Sequence, residues 1–167
     1  TDDAIVGVAR EGHMAILIGK TLGHLGQSAL LAEVFNRVEG DAPPVDLADE
    51  KKNGEFIREN STWVTACTDL SDGGLALAAF EMAEEAGVGI SLDTDDTAEL
   101  FGEDQARYLV ACNFDQAEAL MAAAGNAGVS VSCVGSFGGT NVRFGKSQVD
   151  LAELSEIFRS SFAAAVT

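Results

Sequence analysis

Thr65-Ala66-Cys67-Thr68-Asp69-Leu70-Ser71-Asp72-Gly73-Gly74-Leu75 is the stretch on which the fold turns. An apolar, strand-like run from Trp63 to Cys67 leads into it, and an amphipathic helix leaves it. Between them sit two aspartates, a serine and two glycines. Paired glycines let the backbone bend sharply and approach a ligand or a neighbouring strand. Ser71 or Asp72 is expected to cap the helix by accepting N–H groups of its first turn. A strand, a glycine turn and a helix start are also the ingredients of an anion site. Asp69 and Asp72 would repel a bare phosphate, so a nucleotide here would need Mg²⁺ between carboxylate and phosphate. Spacing alone favours the simpler reading, a capped helix after a tight turn with no ligand, because such turns are common connectors.

Downstream, Gly74 to Ala86 puts Leu75, Ala78, Ala79, Met82 and Ala86 on one stripe, with Glu81, Glu84 and Glu85 opposite. Gly87 is the expected stop, and Val88 to Leu92 reads as a strand. Asp93 to Leu100 is an acidic loop with one helical turn; it lacks the glycine and glutamate spacing of a calcium loop. Phe101-Gly102-Glu103-Asp104-Gln105 is a second polar cluster, set before a strand from Arg107 to Asn113. Its adjacent acids could hold Mg²⁺ or a ribose hydroxyl, or could cap a strand end facing solvent, and spacing favours the latter. Asp115 is expected to cap an alanine-rich helix to Ala124, stopped by Gly125, Asn126 and Gly128. Val129 to Phe137 reads as a half-buried strand, paired across Gly138-Gly139 with a last strand, Thr140 to Phe144. Asp150 to Glu153 is close to a capping box. It opens a final helix with Leu151, Leu154, Ile157 and Phe158 inward.

Upstream, Asp46 to Asn60 reads as a polar helix capped by Asp46, its apolar contacts being Leu47, Phe56 and Ile57. Gly54 inside it costs about 1 kcal/mol against alanine, so a tight contact is expected there. Glu39 to Pro44 is a break. Ser28 to Phe35 carries Leu30, Leu31, Val34 and Phe35 at helical spacing, with Ser28 as cap. Gly19 to Gln27 is a glycine-rich loop in which Lys20 and His24 could meet an anion, a structural turn being the favoured reading. Ala4 to Val8 and Met14 to Ile18 read as a hairpin turning at Gly12, with His13 facing solvent.

The chain has 167 residues, 47% of them apolar, enough for one domain with a real core. No apolar run reaches the ~20 residues a bilayer span needs, and the first residues are not a secretory signal. Cys67, Cys112 and Cys133 have no metal-ligand spacing and read as buried free thiols in a reducing cytoplasm. Two histidines and no CxxC leave no zinc site. A net charge of −17 argues against nucleic acid or an anionic membrane as partner. The excess acid fits either a salt-adapted chain or a merely acidic one, which melting in molar KCl would separate. No GxGxxG or P-loop pattern occurs. The expected fold is α+β, a mixed β-sheet covered by helices, with a hairpin at each end and residues 1–167 as a single domain.

Five segments together resemble a known family. They are Gly19 to Ser28 (GKTLGHLGQS), Pro43 to Leu47 (PPVDL), Asn53 to Arg58 (NGEFIR), Asp69 to Ala76 (DLSDGGLA) with Glu81 to Ala83, and Leu100 to Tyr108 (LFGEDQARY). The chain resembles the C-terminal domain of the large subunit of phosphoribosylformylglycinamidine synthases from about Gly12 onward, residues 1–11 being unplaced. The aspartate–glycine loop alone is shared with aminoimidazole ribonucleotide synthetase, selenophosphate synthetase, thiamine monophosphate kinase and a hydrogenase maturation protein. The other pieces are more specific. The resemblance implies the fold of the C-terminal domain of aminoimidazole ribonucleotide synthetase. It implies a place in a cytoplasmic ligase of purine biosynthesis that uses ATP, Mg²⁺ and glutamine-derived ammonia to turn an amide into an amidine. Implied partners are upstream domains of the same polypeptide, a glutaminase subunit and a small accessory subunit.

On this resemblance the catalytic histidine and most ATP, Mg²⁺ and substrate ligands lie outside these residues. No catalytic or metal residue is expected here, and no cofactor is expected on this chain alone. Gly102, Glu103, Asp104 and Gln105 are candidate remnants of a substrate site. Asp69, Ser71, Asp72, Gly73 and Gly74 are loop candidates, the aspartates shaping the loop rather than doing chemistry. The alternatives are a domain of another superfamily member, or a non-catalytic assembly module. Self-association through exposed apolar surface is expected of the chain on its own.

Overall fold

The computed structural model describes residues 5 and 7–166. Among the described residues seven strands form one sheet in the order β2-β4-β1-β5-β3-β6-β7. They are β1 (Met14–Ile18), β2 (Ala66–Asp69), β3 (Ile90–Leu92), β4 (Tyr108–Cys112), β5 (Val131–Phe137), β6 (Asn141–Phe144) and β7 (Ser147–Asp150). Neighbours are antiparallel except β3 and β6, which run parallel. Five α-helices among the described residues cover the sheet: α1 (Leu47–Glu59), α2 (Gly74–Ala86), α3 (Thr97–Phe101), α4 (Phe114–Ala127) and α5 (Leu151–Val166). The mixed α+β architecture read from the sequence is the one observed.

Alternation along β1 shows why the sheet needs helices on both sides. Ala15 and Leu17 join one apolar cluster with α2, Leu100 of α3 and Leu151 of α5. Ile16 and Ile18 join the other, with Phe56 and Ile57 of α1 and Ala117, Leu120 and Ala124 of α4. Successive side chains of a strand point to opposite faces, so a central strand that is apolar throughout demands two covers. Fully burying one such leucine or isoleucine stabilises by about 1.5–3 kcal/mol.

Several expectations are corrected. Ala4 and Val6 lie outside the described residues, and Gly7–Arg10 is not a strand, so the first hairpin is not seen among the described residues. Gly12 still turns at positive φ, and its N–H bonds Phe137 instead. The strand expected at Trp63 to Cys67 starts later, at Ala66, because Asn60–Val64 closes into a 3₁₀ turn. Gly138-Gly139 does not close a hairpin. The Gly89 carbonyl accepts the Gly138 N–H and the Gly89 N–H bonds the Gly139 carbonyl, and β3 slides between β5 and β6. The hairpin lies one turn later, where Gly145-Lys146 joins β6 to β7, a strand the sequence reading missed.

Helix details also move. Asn113, not Asp115, caps α4 through a capping box with Gln116, and the helix runs past Gly125 and Asn126 to Gly128. Leu30–Val34 is one π-helical turn rather than a longer α-helix. Its wider winding breaks the i, i+3, i+4 stripe, so Val34 and Phe35 face outward. Leu47 also faces solvent, and so does Ile157 of α5, while the partly exposed Phe158 ring packs edge-on against Phe80. Gly54 has only an ordinary contact, its missing Cβ lying 3.8 Å from the Tyr108 hydroxyl. Cys112 is buried and Cys67 half-buried, but Cys133 is exposed. The β1–β5 register skips Val134, and Ser132 and Cys133 just before this bulge are both exposed.

Candidate functional site

Three glycine-bearing loops meet at one edge of the α2–α3 face. Gly74 sits where a Cβ would lie 2.5 Å from the Gly102 carbonyl oxygen. A Cβ on Gly102 would in turn lie 2.5 Å from the Ala98 carbonyl oxygen and 3.0 Å from the Gly23 Cα. Backbones this close tolerate no side chain, which is the physical reason for glycine in both motifs. The Gly19–Gln27 loop, the Asp69–Gly74 turn and the Gly102–Gln105 segment therefore form one unit.

Glu103 and Asp104 bind that unit together. The Asp104 carboxylate accepts the N–H groups of Leu22 at 2.8 Å, Gly23 at 2.9 Å and His24 at 3.2 Å. The Glu103 Oε1 accepts the N–H of Ala29 and the N–H of Gly73, each at 2.8 Å. Five backbone donors from two distant segments thus converge on two adjacent acids. Charge-assisted bonds of this kind are about twice as strong as neutral ones. The Glu103 N–H bonds the His24 carbonyl, closing the ring.

Arg107 completes the arrangement, and the sequence reading missed its role. It is 1% exposed, and Asp104 is 5% exposed. Its guanidinium donates to the carbonyls of Gly102 and Asp104 and to the Thr21 hydroxyl, and lies 3.9 Å from the Asp104 Oδ2. Burial pulls its pKa below the ordinary guanidinium value, and the Asp104 carboxylate opposes that shift. The available signal was an arginine heading an apolar strand in a chain with only ten basic residues.

The other candidates fall elsewhere. Ser71 and Asp72 are exposed, and neither caps α2. The N-cap is Gly73 itself, in the left-handed region, and the Glu103 carboxylate caps from across the fold. The turn holds itself through the Gly74 N–H and the Ser71 carbonyl. Asp69 ends edge strand β2 and is exposed. Gln105 is exposed beside Ala106, which has a positive φ. Lys20 pairs with Asp49 at 3.0 Å, and a His24 ring nitrogen meets the Asp41 carbonyl, so both side chains have internal partners.

The donor set does not suit a metal. Among the described residues no three His, Cys, Asp or Glu side chains stand together to hold an ion. The Glu103 Oε1 and both Asp104 oxygens already receive backbone donors, so these acids are turned to the chain itself rather than to an ion. Beside the clamp a cavity of about 580 Å³ is lined by Leu17, Thr21, Leu22, Gly23, Asp93 and Glu99 among others. Its acids are partly self-satisfied, since Asp96 accepts the Glu99 N–H and the Thr94 hydroxyl donates to Glu99. A second hollow of about 440 Å³, almost wholly apolar, runs between α2, α5 and the π-helical turn. No described helix is long and apolar enough to cross a membrane.

Comparison with known proteins agrees with this architecture. Residues 10–144 match the family model described as AIR synthase related protein, C-terminal domain. The chain is 67% identical over 165 residues to the phosphoribosylformylglycinamidine synthase subunit PurL of Ruegeria sp., covering 99% of this chain and 23% of the relative. The chain thus spans about a quarter of the length of the curated relatives it matches. Among solved structures it is similar to T. maritima PurL complexed with FGAR, with a TM-score of 0.72 and 18% identity over 89% of this chain and 28% of that one. T. maritima PurL complexed with ATP gives a TM-score of 0.62 and 17% identity, covering 92% of this chain and 27% of that one. At such identities the likeness to the solved structures is one of fold.

Proposed function

The chain belongs to the family of AIR synthase related protein C-terminal domains, and from that premise we propose that it serves as the C-terminal domain of the large subunit of a phosphoribosylformylglycinamidine synthase. The observation that carries this reading is the 67% identity to the Ruegeria subunit across nearly the whole chain. The reaction proposed for the complete enzyme is ATP-dependent. Phosphorylation activates the amide oxygen of formylglycinamide ribonucleotide, and glutamine-derived ammonia displaces it to give the amidine.

Within that enzyme the domain works as a shaped wall rather than as the reacting centre. ATP and Mg²⁺ belong to the rest of the polypeptide on this reading, because the acids here are engaged by the chain's own backbone. Glu103, Asp104 and Arg107 fix the Gly19–Gln27 loop and the Gly73 turn in one geometry. Gly102 permits the close approach, and exposed Gln105 is the residue of that segment left to face a substrate. The glutaminase and a small accessory subunit are the proposed partners, in a cytoplasmic assembly. The apolar hollow between α2 and α5 gives the isolated chain a surface for self-association, which light scattering across concentrations would read.

A chimera tests the proposal. Replacing the matching segment of the Ruegeria subunit with this chain should preserve ammonia-dependent amidine formation from formylglycinamide ribonucleotide and ATP. A folded, well-expressed chimera without that activity would overturn it. ATP hydrolysis by this chain alone would contradict its role as a wall.

A further inference from the structure

We propose that the Gly19–Gln27 loop is an oxyanion nest whose resident anion is the chain's own Asp104 carboxylate, and that inorganic phosphate will take the nest once that carboxylate is removed. Three successive backbone N–H groups, those of Leu22, Gly23 and His24, point at one pair of oxygens at 2.8–3.2 Å. Gly23 has φ +72°, the left-handed conformation that turns neighbouring amides toward a common point. Successive amides around such a residue make an anion-binding concavity.

Two further groups favour an oxyanion over any neutral acceptor. The Arg107 guanidinium lies 3.9 Å from the same Oδ2, buried, with its charge fixed in place. It also donates to the Thr21 hydroxyl at 3.3 Å, which sits one residue before the nest. Amides and a guanidinium, the latter held in place by the Thr21 hydroxyl, together suit a phosphate or sulfate. The acid that fills it comes from about eighty residues away in sequence and is itself nearly inaccessible. The cavity lined by Thr21, Leu22 and Gly23 adjoins the nest, with Asp93, Asp96 and Glu99 also in its lining and opposing any anion outside the nest itself. With Asp104 present the donors are taken, so the native chain keeps phosphate out of a loop built to receive it.

Thermal melting of Asp104→Ala and of the unchanged chain, in phosphate against chloride at equal ionic strength, tests this. Asp104→Ala should melt lower than the unchanged chain in chloride. Phosphate at about ten times its dissociation constant should raise the variant's melting temperature by about 3–5 °C, saturably. The unchanged chain and an Asp72→Ala control should show no phosphate-specific rise. A folded Asp104→Ala variant indifferent to phosphate would overturn the proposal, as would an equal rise in the unchanged chain. Should the variant not fold in chloride, dilution from urea into phosphate should recover it; failure to refold in either salt would also overturn the proposal.

Discussion

Asp69-Leu70-Ser71-Asp72-Gly73-Gly74 and Phe101-Gly102-Glu103-Asp104 look alike on paper, each a pair of acids beside glycine at the edge of a strand. Folding treats them in opposite ways. The acids of the first stay exposed, and its backbone does the work, with Gly73 and Gly74 packed against Leu77 and the Gly102 carbonyl. The second is drawn inward, and its carboxylates take five backbone N–H groups from other segments. An acid in a glycine turn is thus as able to serve as a ligand for the chain itself as for a metal or nucleotide. Burial and the direction of nearby amides decide which.

The comparison breaks most sharply at Asp104. Asp104→Ala leaves the Arg107 charge buried without its counter-ion and three amides without an acceptor. Urea unfolding should show a loss of about 3–5 kcal/mol. A loss under 1 kcal/mol would put both acid pairs in the same class. Glu103→Ala removes the acceptor for Ala29 and Gly73 together, and about 2 kcal/mol should go with it.

The strands that flank the two loops give a pH test. Burial pushes both the Cys67 thiol of β2 and the Cys112 thiol of β4 up to about 11 from an ordinary value of 9.0. The unfolded chain therefore loses these protons first as pH rises, and the folded chain holds more protons between the two values. Stability should be fully present below about pH 9 and fall as pH climbs toward 11. Tyr108, also raised by burial, adds in the same direction. Unfolding midpoints at pH 8 and pH 10.5 read the slope, and a Cys67→Ala, Cys112→Ala double variant should flatten it. The smallest effect belongs to the exposed acid. Asp72→Ala should move stability by no more than about 0.5 kcal/mol in a parallel urea titration.

Much of the fold was legible because it rests on local chemistry. Asp46 caps α1 and Gly87 closes α2 as their types and positions predict. The unbroken apolar run of β1 marks a central strand, and the stripe on α2 marks its buried face. What was not legible depends on partners far off in sequence. Ser71 looks like a cap until Glu103, 30 residues beyond Gly73, proves to hold the Gly73 amide. Gly138-Gly139 looks like a hairpin until β3 arrives between its arms. Glu103 and Asp104 could be placed near a site by their glycine neighbour, but nothing local shows that their oxygens face inward. The family resemblance drew attention to Gly102–Gln105 and left the clamp unseen, since Arg107 and the amides of Leu22, Gly23 and His24 stand outside any side-chain motif of acids.

Amide hydrogen exchange resolved by residue tests the clamp most directly. With Glu103 and Asp104 holding the loops, the N–H groups of Leu22, Gly23, Ala29 and Gly73 should exchange slowly, orders of magnitude behind those of Ser71 and Asp72, although all lie outside regular strands and α-helices. Asp104→Asn should release Leu22 and Gly23 and leave Gly73 slow. Loop amides that exchange as fast as Ser71 and Asp72 in the unchanged chain would mean that the two acids hold nothing, and the account would fall.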